Sequence, residues 1–431
     1  MAATGDTHRK MGILSSAPFG NLVITALILC CNFAFSLIDN INGSTVLDLR
    51  HVTGGTSADM NYGMVAKAIS YCAGCFFFGY LFDRINRCHG YVGVMMCSAC
   101  STLAVAFIRD PVSYIASQAT LGFTDGGIEP SVRVWLIDMW GSRSAPFLQA
   151  LHCTTGIGMI VIPLIAAPFL SSTRTHAVGV MTNVTSNSGS RVGIPYMISA
   201  SVVAATTLIL LVVHILINQL DQRQEVQSYS DQREPQARSQ MRSKFYGVTV
   251  LLIGCLLNGC KICLTIITNT LLAEFLSFSS DKMSSQASAV MMSAQSAAYT
   301  ASSGLSILIT VKINSRILFY ADMLLCSGGQ LLLLFFADKM ESVVWVAVIL
   351  TGLGTGSSGA AIYSILREKI EVTNKVSGYL MFSGRLAVIV VLLFLGPKIE
   401  MNPQLFCYSN LLLSCASFLL SISLIFVDRI Q

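Results

Sequence analysis

A few ionisable side chains lie inside stretches of sequence that are otherwise apolar. Asp39 follows Phe33-Ala34-Phe35-Ser36-Leu37-Ile38. Asp125, Glu129 and Arg133 share one stretch, His152 lies in another, and Lys261 and Arg385 in two more. Charged groups in such segments cost several kcal/mol each and mark ion or solute paths by default. Asp125, Glu129 and Arg133 recur every four residues, which puts them on one helix face. Glu129 and Arg133 can pair there as a neutralised structural couple. The competing reading is that Glu129 exchanges a proton or holds a cation in step with a bound solute. Asp39, Asn40 and Asn42 together are too polar to face lipid, and serve either interhelical hydrogen bonding or the lining of a cavity. Gln149 and His152 share a face, as do Gln295 and Tyr299, and Asn258 and Lys261 polarise a further stretch. Amides, imidazole and phenol around a cavity suit a hydroxyl-rich solute. Lys261 needs a counter-charge, which Glu129 or Asp39 can supply. Lys67 falls nearer the end of its stretch and reads as a snorkelling lysine.

The segments that position these groups follow from composition. The 431 residues are 53% hydrophobic and 11% charged, whereas a soluble domain carries about 25% charged residues. A mean hydropathy of +0.66 agrees that the outer surface faces lipid. A bilayer core takes about 20 apolar residues per helix. Twelve such spans can be drawn, at 20–47, 60–81, 90–108, 111–138, 144–170, 193–217, 244–273, 284–311, 316–337, 342–366, 375–396 and 404–427. The fourth is the weakest by hydropathy, because it holds Asp125, Glu129 and Arg133. The first reads as an uncleaved span and not a signal peptide, its apolar run being too long for one.

The expected class is an all-α membrane protein. A six-helix half over 20–217 and another over 244–427 are joined by a Gln-rich, charged linker at 218–243, with short tails at 1–19 and 428–431. Such a polar segment reads as disordered. Sixteen of the 27 Lys and Arg residues fall on the side of the linker, seven on the other and four inside spans. Positive charge marks the cytoplasmic side, so linker and both termini are placed there. The loop 171–192 is then outside and carries Asn183-Val-Thr185, a glycosylation sequon. Asn32 and Asn258 share one chain offset with Asp48 and Glu274, a faint trace of an internal repeat.

The net charge of +5 comes in short clusters without interleaved aromatics, which argues against nucleic acid as a partner. The three C-x-x-C pairs (Cys72/Cys75, Cys97/Cys100 and Cys260/Cys263) lie inside spans without His or acidic neighbours and read as packing material. No metal site or cofactor is expected. Enzyme chemistry finds no phosphate loop, nucleophile elbow or metal-ligand cluster.

Between spans two and three stands Gly79-Tyr80-Leu81-Phe82-Asp83-Arg84-Ile85-Asn86-Arg87. Gly79 permits close helix approach, Asp83 can cap a facing helix or pair with a cation, and Arg84 and Arg87 hold the loop in the cytoplasm. The run resembles the major facilitator signature G-x-L-a-D-r-x-G-R-k, with Asn86 and Cys88 as departures. The resemblance implies a latch that closes the cytoplasmic side, with Arg143 as a plausible partner for Asp83. A closer likeness rests on Leu136-Ile137-Asp138-Met139-Trp140-Gly141, Pro146 to His152 and Gly156-x-Gly158. These resemble the sodium-dependent glucose transporter group, also described as major facilitator domain-containing 4 proteins. That group is distantly similar to fucose permease-type symporters, which carry essential acids in spans one and four; Asp39 and Glu129 stand at matching places. The permease pattern has Asn-Pro after its Glu where this sequence has Pro130 and Arg133. The resemblance implies a plasma-membrane transporter, acting as a monomer, for a monosaccharide such as glucose coupled to sodium or protons. A transporter of an organic anion, lipid or other metabolite, or a non-transporting sensor, is the alternative.

Overall fold

The computed structural model describes residues 19–170, 191–225, 244–278, 285–336, 340–399, 402 and 404–427. Asn183 and most of the 218–243 segment lie outside these residues. The helices are α1 (Phe19–Thr53), α2 (Ser57–Leu81), α3 (Arg87–Val105), α4 (Pro111–Trp140), α5 (Ala145–Ala166) and α6 (Gly193–Glu225) in the first half. The second half has α7 (Lys244–Phe278), α8 (Ser285–Lys312), α9 (Ser315–Phe336), α10 (Glu341–Gly356), α11 (Ser358–Arg367), α12 (Asn374–Ile399) and α13 (Gln404–Val427). Each expected span falls on a helix, and the tenth on two, interrupted at Ser357. The protein is a multi-pass membrane protein. Among the described residues, nine segments are long and apolar enough to cross a bilayer by length and composition. The fourth and eighth spans are not among the nine, since α4 and α8 are rich in Ser and Gly and α4 also carries Asp125, Glu129 and Arg133. Large apolar side chains such as Leu164, Leu308, Leu324, Phe394, Leu412 and Leu419 are exposed on the outside of the bundle, where lipid takes the place of water.

Local chemistry sets the helix ends. Thr56 and Asp59 form a capping box at α2, the Asp59 carboxylate accepting from the Thr56 amide at 2.7 Å. That amide holds the Asp59 carboxyl below its ordinary pKa. Asp110 caps α4, whose first residue is Pro111, in the position a ring without an N–H tolerates. Asn86, a departure from the major facilitator pattern, has a job of its own: its Oδ1 accepts from the Cys88 amide at 3.0 Å and starts α3. Gly141, at φ 51, turns the chain out of α4 in a conformation that favours glycine. α6 runs on to Glu225, past Asn218 where the sequence reading begins its linker. Eight residues of that polar stretch continue the helix of the apolar run before them.

Small residues bring the helices close. α2 and α4 pack along Gly74, Gly122 and Gly126; a methyl group on any of them would meet the backbone of the facing helix, at Phe123, Lys67 and Tyr71 respectively. The halves echo one another at their loops. Arg87, opening α3, pairs with Asp138 near the end of α4. Arg316, opening α9, pairs with Glu368 just beyond α11 at 2.6 Å. The halves meet through α2 and α4 against α12, and through α5 against α8 and α11. These contacts run from mid-span to the end that carries the gate motif.

Candidate functional site

The charged groups assemble chiefly in the first half. Lys67 Nζ of α2 lies 2.7 Å from Asp39 Oδ1 of α1 and 3.1 Å from Asp125 Oδ2 of α4. The sequence reading takes Lys67 as a snorkelling lysine; instead its ammonium bridges two carboxylates. The reason is geometric: α2 and α4 touch through glycine, so a lysine at their seam reaches α4 before it reaches water. A signal for this was present in the sequence, because Asp39 and Asp125 otherwise lack a cation of their own.

One turn further along α4, Glu129 collects three donors. Tyr71 Oη donates to Glu129 Oε2 at 3.0 Å. Arg385 Nη2 donates to Glu129 Oε1 at 3.4 Å. Arg133 Nη1 stands 3.7 Å from Oε2 and donates to the Glu129 carbonyl at 2.5 Å. The expected Glu129–Arg133 pair therefore exists, but Arg385 of α12 adds a cation from the opposite half. Arg385 also lies over the Tyr71 ring at 4.5 Å, and Arg133 over the Tyr363 ring at 5.7 Å. A cation over an aromatic face gains about 0.5–2 kcal/mol, so each arginine has a second hold.

The remaining candidates divide. His152 Nδ1 and Tyr299 Oη are 3.0 Å apart, joining α5 to α8 across the halves. Gln149 Nε2 donates to the Ser357 carbonyl at 3.0 Å, joining α5 to the α10–α11 junction. Lys261 is buried beside His152: a methyl group on Gly359 would meet Lys261 Nζ at 2.9 Å and the His152 ring at 3.0 Å. The counter-charges expected for Lys261 are engaged elsewhere, Asp39 with Lys67 and Glu129 with the arginines. Among the described residues no carboxylate comes within ion-pair distance of Lys261. Asn258 donates to the Leu380 carbonyl at 2.6 Å and binds α7 to α12. Asn42 donates to Gln118 at 2.8 Å and accepts from Tyr196 at 2.8 Å, a network within the first half. Gln295 is buried on α8, its backbone against Gly352.

At the gate motif, Asp83 faces the start of α12. Asn374 Nδ2 donates to Asp83 Oδ1 at 3.0 Å and Lys375 Nζ lies 3.5 Å from Oδ2. Gly79 packs against the same two residues. Arg143, the partner expected for Asp83, is exposed in the turn after α4 and does not reach it. It lies within the first half, whereas the loop ending α2 is pressed against α12 of the second. Arg87 turns to Asp138, and Arg84 joins Phe76, Phe77, Tyr80 and Leu81 around a groove on the outer face of α2.

Two participants escaped the sequence reading. Tyr71 has nothing in its type or spacing to distinguish it from a packing tyrosine. Asp322 lies inside the ninth span and meets the criterion that selected Asp39; the ionisable-residue rule alone would have found it.

The Major Facilitator Superfamily pattern matches residues 28–392. Sodium-dependent glucose transporter 1A of Mus musculus is 28% identical over 153 residues, 34% of this chain and 36% of that protein. Major facilitator superfamily domain-containing protein 4A of Xenopus tropicalis is 31% identical over 164 residues, 37% of this chain and 31% of its own length. The matched stretch thus spans about a third of each curated relative. Among solved structures, the major facilitator transporter FucP in the outward conformation superposes with a TM-score of 0.73 at 12% identity, covering 95% of this chain and 99% of that one. The proton:xylose symporter XylE bound to 6-bromo-6-deoxy-D-glucose gives 0.69 at 12% identity, covering 93% and 94%. At that identity the likeness is one of fold.

Proposed function

The chain belongs to the major facilitator superfamily, and from that premise we propose that it is a secondary active transporter of a small polar solute, a monosaccharide such as glucose being favoured. The observation that carries this reading is the Asp39–Lys67–Asp125 and Glu129–Arg385 charge system, which lies in mid-membrane and crosses from one half to the other. Alternating access moves one half against the other around such a site. Separating α4 from α12 takes Arg385 away from Glu129, and the carboxylate left behind then takes a proton or a sodium ion. A solute seated between the halves and this cation are in that way bound together. His152, Tyr299, Gln149, Gln295 and Asn258 supply hydrogen bonds of the kind hydroxyl groups accept and return. The names of the relatives, which include sodium-dependent glucose transporters, point to the same solute class.

The gate motif fits the reading. Asp83 against Asn374 and Lys375 holds the halves together at the end we assign to the cytoplasm, which leaves the opposite end to admit solute. Both termini are assigned to the cytoplasm, Asn183 to glycosylation outside, and the protein to the plasma membrane as a monomer. The alternative solute, an organic anion, draws on Lys261, which is buried with no carboxylate at ion-pair distance among the described residues.

The test is uptake of labelled hexose into vesicles carrying the purified protein, with a sodium gradient, a proton gradient or neither. Gradient-driven accumulation is expected, and Glu129→Gln is expected to abolish its gradient dependence while leaving exchange. Absence of accumulation under every gradient refutes the sugar reading; an anionic solute accumulating instead selects the alternative.

A further inference from the structure

The charge system of the first half does not use every buried acid of the described residues. Asp322 of α9 is 3% exposed. Its Oδ2 accepts a hydrogen bond of 2.5 Å from Ser357 Oγ. Ser357 is the residue at which the tenth span breaks, between α10 and α11. The Ser357 carbonyl in turn accepts from Gln149 of the first half. Gln149 is 1% exposed, and its Oε1 is buried without a hydrogen-bond partner. A broken span, a carboxylate and an unsatisfied amide oxygen therefore meet at one residue that touches both halves. The backbone at Ser357 stays near the helical region, at φ −95 and ψ −17, so the junction is a local kink, and what sets it apart is the buried carboxylate and amide gathered on it.

The charged and titratable groups around Asp322 are few. Lys261 of α7 is the nearest cation and acts on Asp322 electrostatically, but from beyond ion-pair distance. His152 of α5 lies beside Lys261 across Gly359. Cys326 is one turn along α9. α10 carries its acid, Glu341, in its first turn, far from the break. On α11 Tyr363 is turned to Ser377. α13 presents Ser414 and Asn410, which do not titrate. A lone neutral hydroxyl does not offset the desolvation of a carboxylate. Hard metal cations gather about six oxygens, more than the carboxylate, hydroxyl and amide assembled here. A proton needs one.

We propose that Asp322 is a second proton site of the transport cycle, placed in the C-terminal half. It holds a proton while Ser357 bridges the halves. When the Gln149–Ser357 contact opens, the Asp322 O–H bond breaks, the proton passes to water, and the Lys261 ammonium becomes the counter-charge of the carboxylate. The proposal rests on the transporter reading but not on its solute.

Infrared difference spectroscopy of the full chain in lipid nanodiscs, over a pH series and without substrate, tests it. A carbonyl stretch of protonated carboxylic acid is expected that disappears as pH rises, and that Asp322→Asn removes at every pH while Asp39→Asn leaves it. The asparagine oxygen still accepts from Ser357, so the junction stays intact. Ser357→Ala, which does not touch the carboxyl, is expected to raise the pH at which the band vanishes by about one unit, a tenfold change from one hydrogen bond to a charged group. The proposal falls if the band persists in Asp322→Asn, if Ser357→Ala leaves its midpoint unmoved, or if sodium chloride at fixed pH removes it, which would make sodium the occupant. Hexose uptake has no part in this readout, so failure of the sugar reading and failure of the proton site are told apart.

Discussion

Replacing Lys67 by methionine keeps the volume of the side chain and deletes the ammonium. Two carboxylates then lose their cation, but not to equal effect. Lys67 lies 2.7 Å from Asp39 and 3.1 Å from Asp125, and the Asp39 side chain is 24% exposed where that of Asp125 is 2% exposed. Removing one partner of a buried ion pair costs about 3–5 kcal/mol, because a charge is left without compensation. Solvent at Asp39 screens part of its share; nothing comparable reaches Asp125. The penalty should therefore fall mainly on Asp125, despite the shorter distance to Asp39. Lys67→Met is expected to destabilise the protein by about 3 kcal/mol, somewhat more than a hundredfold in the folding equilibrium. Asp125→Asn added to it should recover most of that loss. Asp39→Asn should recover less than half. Thermal unfolding of the purified variants in detergent, arranged as two double-mutant cycles, measures both couplings. The reasoning is refuted if Lys67→Met lies within about 0.5 kcal/mol of the parent, the range of an uninvolved surface change. It is equally refuted if Asp39→Asn rescues as well as Asp125→Asn, since exposure would then not decide the energetics.

Two further outcomes follow from the packing and the gate. Gly126→Ala is expected to cost about 1–3 kcal/mol by overpacking, because the new methyl would meet the Tyr71 carbonyl of α2; Gly93→Ala, which faces open space, is expected to be neutral in the same melt. Lys375→Ala is expected to loosen the gate-motif end, whereas Arg143→Ala leaves it unchanged. The Asp83 and Lys375 side chains are 26% and 41% exposed, so the pair contributes no more than about 1 kcal/mol. That corresponds to an opening shift of about fivefold at most, read as labelling rate at a cysteine placed in the loop after α2; equal rates in the two variants would reject the assignment.

The fold was legible because membrane burial writes itself into composition. Apolar runs long enough for a bilayer, broken by charge, placed most helix ends within about five residues of where they stand, α1 and α6 running six and eight residues further. Even α4, weak by hydropathy, was found, since a glycine-rich helix with three charges on one face is what an inward-facing span requires. The site was legible by residue type but not by partner. Asp39, Asp125, Glu129 and Arg133 stand out by type and spacing alone, whereas the Lys67 bridge to two carboxylates and the Lys375 contact of Asp83 do not. Partners of that kind are fixed by which helices of the two halves touch, and a sequence records periodicity along each helix, not the neighbours around it. Lys375 sits 292 residues from Asp83, and Arg385 sits 256 residues from Glu129. No spacing rule reaches that far.

The distribution of polar contacts between the halves has a mechanical consequence. From the gate motif inward, the halves are joined by Asn374 and Lys375 to Asp83, by Ser377 to the Pro130 carbonyl at 3.1 Å, by Gln149 to Ser357, by His152 with Tyr299, and last by Arg385 to Glu129. Only the first and last involve opposite charges. The first is half-exposed and worth little, so it sets register more than strength. The last is mid-membrane, where an arginine parted from its carboxylate is costly. On the proposed transport cycle, opening the gate-motif end is expected to be limited by the fate of Glu129 and Arg385, more than by the Asp83 contacts. Arg385 keeps the Tyr71 ring only if it stays with the first half, which α12 cannot do while moving away. Glu129, by contrast, retains Arg133 and Tyr71 from its own half. With the coupling cation taken by Glu129 as proposed, the charge left for the solute to meet is that of Arg385, which an acceptor brought by the solute, or an anion with it, would compensate. A neutral hexose can offer hydroxyl oxygens to that guanidinium, which makes Arg385, more than Glu129, the group through which solute identity is expected to be read.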